Sequence, residues 1–166
     1  MERYGLINAL LRARNHERAD RELTRLYDDM QAEEMKEALE NHQLGSSIQV
    51  KSRIARSSPM IETLAARVKL GTGQTEEALG IYQAALEIFP QHRALIYDYA
   101  DALLRVHRAS KALELVDRQL QLAPNDVRLY KLRARSHQAL GDAVSQHRAL
   151  AEVYSREGDY RAAIEQ

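Results

Sequence analysis

Apolar residues recur at helical spacing along most of the chain, and two stretches show the pattern most clearly. The first runs from Ala78 to Pro90 and the second from Ala112 to Pro124. Each begins with a small alanine, places a bulky residue four positions later, and ends at a proline. Apolar positions three and four residues apart form one face of a helix, and proline ends a helix. The pattern therefore predicts two amphipathic helices at equivalent positions of a repeat.

The two prolines give the repeat a length of about 34 residues, which is the period of the tetratricopeptide repeat. In that repeat two antiparallel helices form one unit, and neighbouring units stack so that their apolar stripes become continuous. Small alanines at helix contacts, with larger Tyr82, Leu103 and Val116 between them, fit this packing. The predicted fold class is all-α: a tetratricopeptide-repeat α-solenoid of antiparallel helix pairs, wound as a right-handed superhelix.

Residues 1–43 are predicted to form a first helix pair with an extended second helix. The first helix is expected over residues 3–14, and the second begins near Glu17. The apolar stripe of this second helix drifts after Met30. This drift predicts either an overlong helix or a kink near residues 30–33.

Residues 44–58 interrupt the helical pattern. They are rich in serine and carry Lys51, Arg53 and Arg56 without an acidic residue. This composition favours a mobile basic loop. The even spacing of Ile48 and Val50 is also compatible with a short extended segment. The prediction is a basic, serine-rich insertion, in either form.

Residues 59–166 are predicted to form a regular array, with repeats at about 59–92, 93–126 and 127–157 and a partial repeat at 158–166. The turn at His107 and Arg108 lacks the glycine that such a repeat usually has. The helix over residues 142–156 serves as the second helix of one repeat and the first of the next. The last helix is short, which predicts that the natural continuation of the chain is missing.

The charge balance narrows the class of partner. Lysine and arginine together number 24, as do aspartate and glutamate, so no net charge draws the chain to nucleic acid. No apolar run approaches the ~20 residues of a membrane span. We expect a protein or peptide partner, no nucleic acid and no direct membrane span.

The residue types that usually carry chemistry do not form a recognisable site. The chain has no cysteine, and no two histidines stand four residues apart. His16 and Glu17 begin like a zinc-protease helix, but the second histidine is absent. The glycines at 71 and 73 lack the lysine of a phosphate loop. The prediction is a non-catalytic chain with no cofactor and no metal, and the alternative is an enzyme with an unrecognised site.

The predicted partner-binding surface lies on the first helix of each pair, because these helices line the concave face of such arrays. Tyrosine offers broad contact area and arginine offers planar hydrogen bonding, so both suit a binding groove. The cations of residues 127–157 indicate a partner with acidic groups. Alternatively, Asp101 pairs with Lys131 or Arg135 and the surface is structural. The candidate partner-binding residues are Tyr4, Asn8, Arg12, Tyr97, Asp101, Arg105, Arg128, Lys131 and Arg135.

Several sequence segments are more specific than a generic tetratricopeptide repeat. Residues 147–154 read HRALAEVY and residues 158–166 read GDYRAAIEQ, so that one helix joins the last repeats. Residues 3–6, 9–13, 90–95, 99–104 and 124–126 add to the pattern. Together these segments resemble the C-terminal repeat domain of bacterial periplasmic M48-family metalloproteases, the beta-barrel assembly-enhancing proteases. The resemblance fails at Gln31–Ser58, which is longer than the usual link.

The resemblance implies that the chain is the non-catalytic arm of a zinc metalloprotease. In that family a domain with a His-Glu-x-x-His helix precedes the repeats, and no residue here matches that helix. The implied partners are the protease domain of the same parent chain and the outer-membrane assembly machinery. The implied localisation is periplasmic, with a role in outer-membrane protein assembly and quality control. The alternative is a stand-alone tetratricopeptide scaffold or co-chaperone for pilus or secretion assembly.

Overall fold

The computed structural model of the protein describes residues 2–40 and 58–166. Within these ranges the chain is helical and contains no strand. The predicted insertion lies outside the described residues except for Ser58, which caps the next helix by accepting a hydrogen bond from Met60 N at 3.3 Å. The helices are α1 Glu2–Arg12, α2 His16–Glu40, α3 Pro59–Gly71, α4 Thr75–Ile88, α5 Arg93–Arg105, α6 Ala109–Leu122, α7 Val127–Leu140, α8 Ala143–Glu157 and α9 Tyr160–Ile164.

The chain divides into two compact units, Met1–Pro90 and Gln91–Gln166. We call them the N-terminal unit and the C-terminal unit. In the described part of both units, no helix combines the length and the hydrophobicity that a membrane crossing requires.

The N-terminal unit is built on one apolar cluster shared by α1, α2 and α3. Each helix places residues three or four positions apart into the cluster, as an amphipathic helix does. Ile7, Ala19 and Val68 are fully buried in it. The buried members are Ile7, Leu10, Ala19, Leu23, Leu64, Ala65 and Val68. Burial of each large side chain contributes about 1.5–3 kcal/mol to folding.

Helix α2 is one uninterrupted helix from His16 to Glu40, twenty-five residues long. The helix continues without a break through residues 30–33. Of the two predictions for this region, an overlong helix or a kink, the structure shows the overlong helix. Asn15 caps its start, because the Asn15 side chain accepts a hydrogen bond from Arg18 N at 3.3 Å. Only its first half carries the core residues Ala19 and Leu23.

In the C-terminal unit each helix packs on the next, and α5 also contacts α7. The predicted small residues lie where these helices approach. Ala100 of α5 and Ala134 of α7 are 0% and 3% exposed, and Ala112 of α6 is 0% exposed. Aspartates cap the later helices: Asp126 precedes α7, Asp142 precedes α8 and Asp159 precedes α9. These three helices thus begin where their sequences supply a side-chain acceptor.

Five of the described turns between helices use the left-handed backbone conformation. Gly73, Gly141 and Gly158 adopt it with φ of 82°, 75° and 83°. Arg14 and His107 adopt it as well, with φ of 56° and 59°. Glycine is favoured there because a Cβ atom clashes in this region. The first helix therefore ends at Arg12, two residues before the predicted end, because Arg14 turns the chain.

Candidate functional site

The first helices of the C-terminal unit, α5 and α7, contact each other and carry most of the predicted binding residues. Four of the exposed cations on them are predicted binding residues, and we call this set the basic first-helix surface. Lys131 and Arg135 are one helical turn apart, so their side chains share a face. The four cations are Arg105, Arg128, Lys131 and Arg135.

Tyr97 is held by contacts within the C-terminal unit. Its side chain is buried, with 9% exposure, and its hydroxyl donates a hydrogen bond to Asp126. The Arg128 guanidinium covers the ring at 4.4 Å from its centroid, a favourable cation–π distance. Burial raises the pKa of Tyr97, and the hydrogen bond to Asp126 raises it further. The predicted aromatic anchor therefore stabilises the contact between α5 and the start of α7.

Asp126 is the centre of this contact. Its Oδ1 accepts hydrogen bonds from Arg128 N at 3.0 Å and Leu129 N at 3.3 Å, which caps α7. Its Oδ2 accepts from the Tyr97 hydroxyl and lies 3.2 Å from Arg93 Nη1. Its side chain is only 6% exposed, so the carboxylate is fully engaged by the protein. Sequence reasoning did not select it, although an aspartate directly before a helix is a capping signal.

The two other cations of α7 have internal partners. Arg135 forms an ion pair with Asp101 of α5. Lys131 Nζ lies 2.6 Å from Glu157 Oε1 at the end of α8. The predicted alternative of ion pairing across helices thus applies to Arg135 and Asp101, whereas Lys131 pairs with Glu157 and not with Asp101.

Arg105 lies at the end of α5, four residues after Asp101, and is exposed. No ion pair of Arg105 is recorded within the described ranges. It is therefore a cation of this surface that a partner can bind without displacing an internal carboxylate.

Tyr4, Asn8 and Arg12 belong to α1 in the N-terminal unit. Tyr4 packs at the edge of the apolar cluster. Asn8 Nδ2 donates a hydrogen bond to the Tyr4 carbonyl at 3.2 Å, and Arg12 is exposed at the helix end. Of the three, Arg12 is the charged residue, and it is exposed to solvent.

A second arginine–tyrosine contact was missed by sequence reasoning. The Arg156 guanidinium lies 4.1 Å from the Tyr130 ring centroid and donates hydrogen bonds to the Tyr130 hydroxyl at 3.1 Å and the Pro124 carbonyl at 3.3 Å. It ties the end of α8 to the start of α7. No local sequence signal marks this pair, because the two residues belong to different helices.

The exposed side chains of the basic first-helix surface offer ionic contacts. Among the described residues, no group of three or more histidine, aspartate or glutamate side chains could hold a metal ion. The basic first-helix surface can bind carboxylates, because guanidinium groups form paired hydrogen bonds with them.

Comparisons with known proteins agree with this fold. Residues 69–136 match the family model of the tetratricopeptide repeat. Over 73 residues the chain is 33% identical to the Hsp70-Hsp90 organizing protein of Triticum aestivum. That stretch is 44% of this chain and 13% of the relative, so the chain spans a small part of the curated protein that it matches.

Two solved structures resemble the whole chain. A double mutant of MamA RS-1 (ArsTM) superposes with a TM-score of 0.58 at 17% identity, covering 99% of this chain and 90% of that one. MamA from residue 41 to its end, from Desulfovibrio magneticus RS-1, gives 0.52 at 18% identity, covering 98% and 88%.

The predicted all-α tetratricopeptide fold is confirmed by these similarities. Residues 69–136 are similar to tetratricopeptide repeats, and the fold class of the described chain is a tetratricopeptide-repeat α-solenoid. Domains of this class are generally non-catalytic scaffolds.

Proposed function

We propose that the chain binds an acidic segment of a partner protein on the basic first-helix surface. The observation that supports this is the excess of exposed cations over carboxylates there. Asp101 and Glu157 are the carboxylates that pair with cations of the set. Complementary charge of this kind favours encounter with an acidic partner and selects against a basic one.

The internal ion pairs of this surface are exposed enough to exchange partners. The side chains of Lys131 and Glu157 are 52% and 42% exposed, and those of Arg135 and Asp101 are 51% and 26% exposed. Exposed ion pairs contribute about 0–1 kcal/mol each. A carboxylate of the partner can therefore replace an internal one at small cost, while Arg105 adds an unpaired cation.

The test is binding of a fluorescent peptide of consecutive glutamates, followed by anisotropy at low ionic strength. The variant Arg128→Gln/Lys131→Gln/Arg135→Gln should bind at least about tenfold more weakly, since it removes three charge contacts. The control Lys111→Gln/Arg148→Gln/Arg161→Gln removes the same charge from exposed positions elsewhere in the C-terminal unit. Equal affinity of both variants would refute the proposed surface.

A finer proposal concerns the parent protein. The segments quoted from the sequence support a periplasmic M48-family metalloprotease, in which this chain is the non-catalytic arm that contacts the protease domain and the outer-membrane assembly machinery. The support is this resemblance alone, and none of the relatives named above is described as a protease. A His-Glu-x-x-His helix and a signal peptide encoded upstream of Met1 would be the expected finding.

A stand-alone scaffold or co-chaperone, for example in pilus or secretion assembly, is the second proposal. The 33% identity to the Hsp70-Hsp90 organizing protein over 73 residues favours it. If this second proposal is correct, the gene should encode no His-Glu-x-x-His helix upstream of Met1. Co-purification of the tagged full-length protein would then recover an assembly or chaperone partner, and recovery of a covalently linked protease domain would contradict this proposal.

A further inference from the structure

We infer that the N-terminal unit carries a second binding site for a carboxylate-rich protein segment, formed by an arginine cluster where α1 turns into α2. The cluster consists of Arg12, Arg14, Arg18 and Arg21, and all four residues are exposed. This inference does not depend on the proposed function, because it uses other residues in the other unit.

The four arginines lie close together along the chain, and two of them share one face of α2. Arg12 ends α1, Arg14 lies in the turn, and Arg18 and Arg21 stand three residues apart on the first turns of α2. Residues three apart share one helix face. The opposite face of α2 carries Ala19 and Leu23, which are 0% and 3% exposed in the core. The guanidinium groups of α2 therefore point away from the core and into solvent.

Two of the three neighbouring carboxylates pair with cations outside the cluster. Asp20 Oδ1 lies 3.3 Å from Lys69 Nζ of α3, and Glu22 pairs with Arg25 at 2.8 Å. Glu17 is the other acidic residue between positions 12 and 22, and it is exposed. Within the described ranges, no ion pair is recorded for any arginine of the cluster. The cluster is thus locally cationic although the chain has no net charge.

The sequence shows that the segment outside the described residues cannot neutralise the cluster either. Residues 41–57 contain no aspartate and no glutamate, and they carry Lys51, Arg53 and Arg56. No carboxylate side chain is therefore available in that segment for the four arginines.

Arg14 occupies a position where glycine would be favoured. Its φ of 56° lies in the left-handed region, where a side chain strains the backbone. Gly73, Gly141 and Gly158 occupy other turns of this kind. Strained residues concentrate where their side chains have a function. A binding role accounts for an arginine at this position.

The surroundings of the cluster favour a protein carboxylate over other anions. Recognition of single-stranded nucleic acid uses aromatic stacking surfaces, and insertion into a membrane surface uses exposed apolar residues. Among the described residues of this unit, the exposed large apolar side chains are Leu6 and Met60, and neither belongs to the cluster. The arginine fork matches the two oxygens of a carboxylate. A run of aspartate or glutamate on a partner protein fits these features.

The experiment uses the full chain that already carries Arg128→Gln/Lys131→Gln/Arg135→Gln, so that the proposed surface of the C-terminal unit does not contribute. A labelled peptide of consecutive glutamates should still bind this variant at low salt, with the affinity that remains after the roughly tenfold loss expected for the C-terminal surface. Salt should weaken this remaining binding because exposed charges are screened. Adding Arg14→Gln/Arg18→Gln/Arg21→Gln should weaken it at least about tenfold. Adding Lys111→Gln/Arg148→Gln/Arg161→Gln instead should leave it unchanged.

Circular dichroism spectra of each variant distinguish a loss of binding from a loss of the folded structure. The single change Arg14→Gly, which relieves the backbone, should also weaken binding while the protein unfolds no earlier. The inference is overturned if the background chain does not bind the peptide, or if the control triple weakens binding as much as the cluster triple. It is equally overturned if a single-stranded oligonucleotide or an anionic vesicle binds the cluster more tightly than the peptide does.

Discussion

The imidazole of His16 lies directly against the backbone of Gly71. A Cβ atom built on Gly71 would come within 2.1 Å of His16 Nδ1. His16 begins α2 and Gly71 ends α3, so this contact sets how closely the two helices approach in the N-terminal unit. Only a residue without a side chain leaves room for the ring.

The substitution Gly71→Ala should destabilise the N-terminal unit. The added methyl group must displace the His16 ring, and overpacking of this kind costs roughly 1–3 kcal/mol. Thermal unfolding followed by circular dichroism measures the loss. The double variant Gly71→Ala/His16→Ala should recover most of it, because the clashing ring is gone.

A matched glycine tests the reason for that effect. Gly80 lies within α4, and a Cβ atom built there has no neighbour within 4 Å. Gly80→Ala should therefore stabilise the helix by roughly 0.5–1 kcal/mol. Destabilisation by both substitutions to the same extent would show that the His16 contact is not the cause.

The turn between α5 and α6 predicts a stabilising substitution. His107 has a φ of 59°, the conformation that glycine adopts at 141 and 158. His107→Gly removes the Cβ strain, which costs roughly 1–2 kcal/mol in this region, although greater freedom of the unfolded chain offsets part of the gain. The free energy of unfolding from urea titration should rise. The same change at Arg105, which lies in α5, should lower it.

The alanines at the helix contacts predict losses in the C-terminal unit. Ala100 and Ala134 are 0% and 3% exposed. Ala100→Leu and Ala134→Leu should each lower stability by roughly 1–3 kcal/mol, since neither position has room for a larger side chain. Ala94→Leu, at an exposed position of α5, is the control. Unchanged melting temperatures for both buried variants would contradict the packing described here.

The sequence was sufficient to predict the helices and much of the packing, because both depend on local spacing. Small residues such as Ala100 and Ala134 follow the repeat period, and so does the pairing of Asp101 with Arg135, which are 34 positions apart. Lys131 and Glu157 are 26 positions apart. Their pairing could not be extrapolated from the period, because 26 positions is shorter than the 34-residue repeat.

The hydrogen-bond partner of Tyr97 could not be predicted from the sequence, for a different reason. The helical pattern placed it on a first helix, which is where it lies. Whether its hydroxyl faces a partner or an internal acceptor depends on the turn before α7, where Asp126 presents its second carboxylate oxygen. A capping signal identifies the aspartate but says nothing about the distant tyrosine that also uses it.

Asp142 predicts an acid-sensitive contribution to the stability of the C-terminal unit. Hydrogen bonds from Ser145, with a smaller effect of the nearby His137, lower the pKa of Asp142 below its ordinary value of 3.8. A carboxyl whose pKa is lower in the folded state stabilises the fold above its unfolded pKa, and this contribution is lost as the pH falls through the folded value. Unfolding measured from neutral pH to below 3.8 should show this loss.

The variant Asp142→Asn isolates that effect. Asparagine still caps a helix but does not titrate in this range. The variant should lose less stability than the unchanged protein on acidification, with the difference confined to pH values near and below 3.8. Identical acid profiles would remove Asp142 as a source of the pH dependence.

Asp101 competes with an acidic partner for Arg135, since the two residues already form an ion pair on the basic first-helix surface. The change Asp101→Asn removes this competing charge and leaves the guanidinium of Arg135 available. Affinity for the glutamate peptide should rise up to about fivefold, given that an exposed ion pair contributes up to about 1 kcal/mol. Anisotropy titration at constant ionic strength measures the change.

The matched control is Asp117→Asn, which removes a carboxylate from a pair in the same unit. Asp117 Oδ1 lies 2.9 Å from Arg133 Nε, with side chains 43% and 38% exposed. Both variants change the net charge equally, so a general electrostatic effect would raise affinity in both. A rise for Asp101→Asn alone is the expected result, because only that pair involves a cation of the proposed surface. If affinity falls when Asp101 is replaced, then Asp101 itself holds Arg135 in the orientation that binds the partner, and the ion pair belongs to the site instead of competing with it.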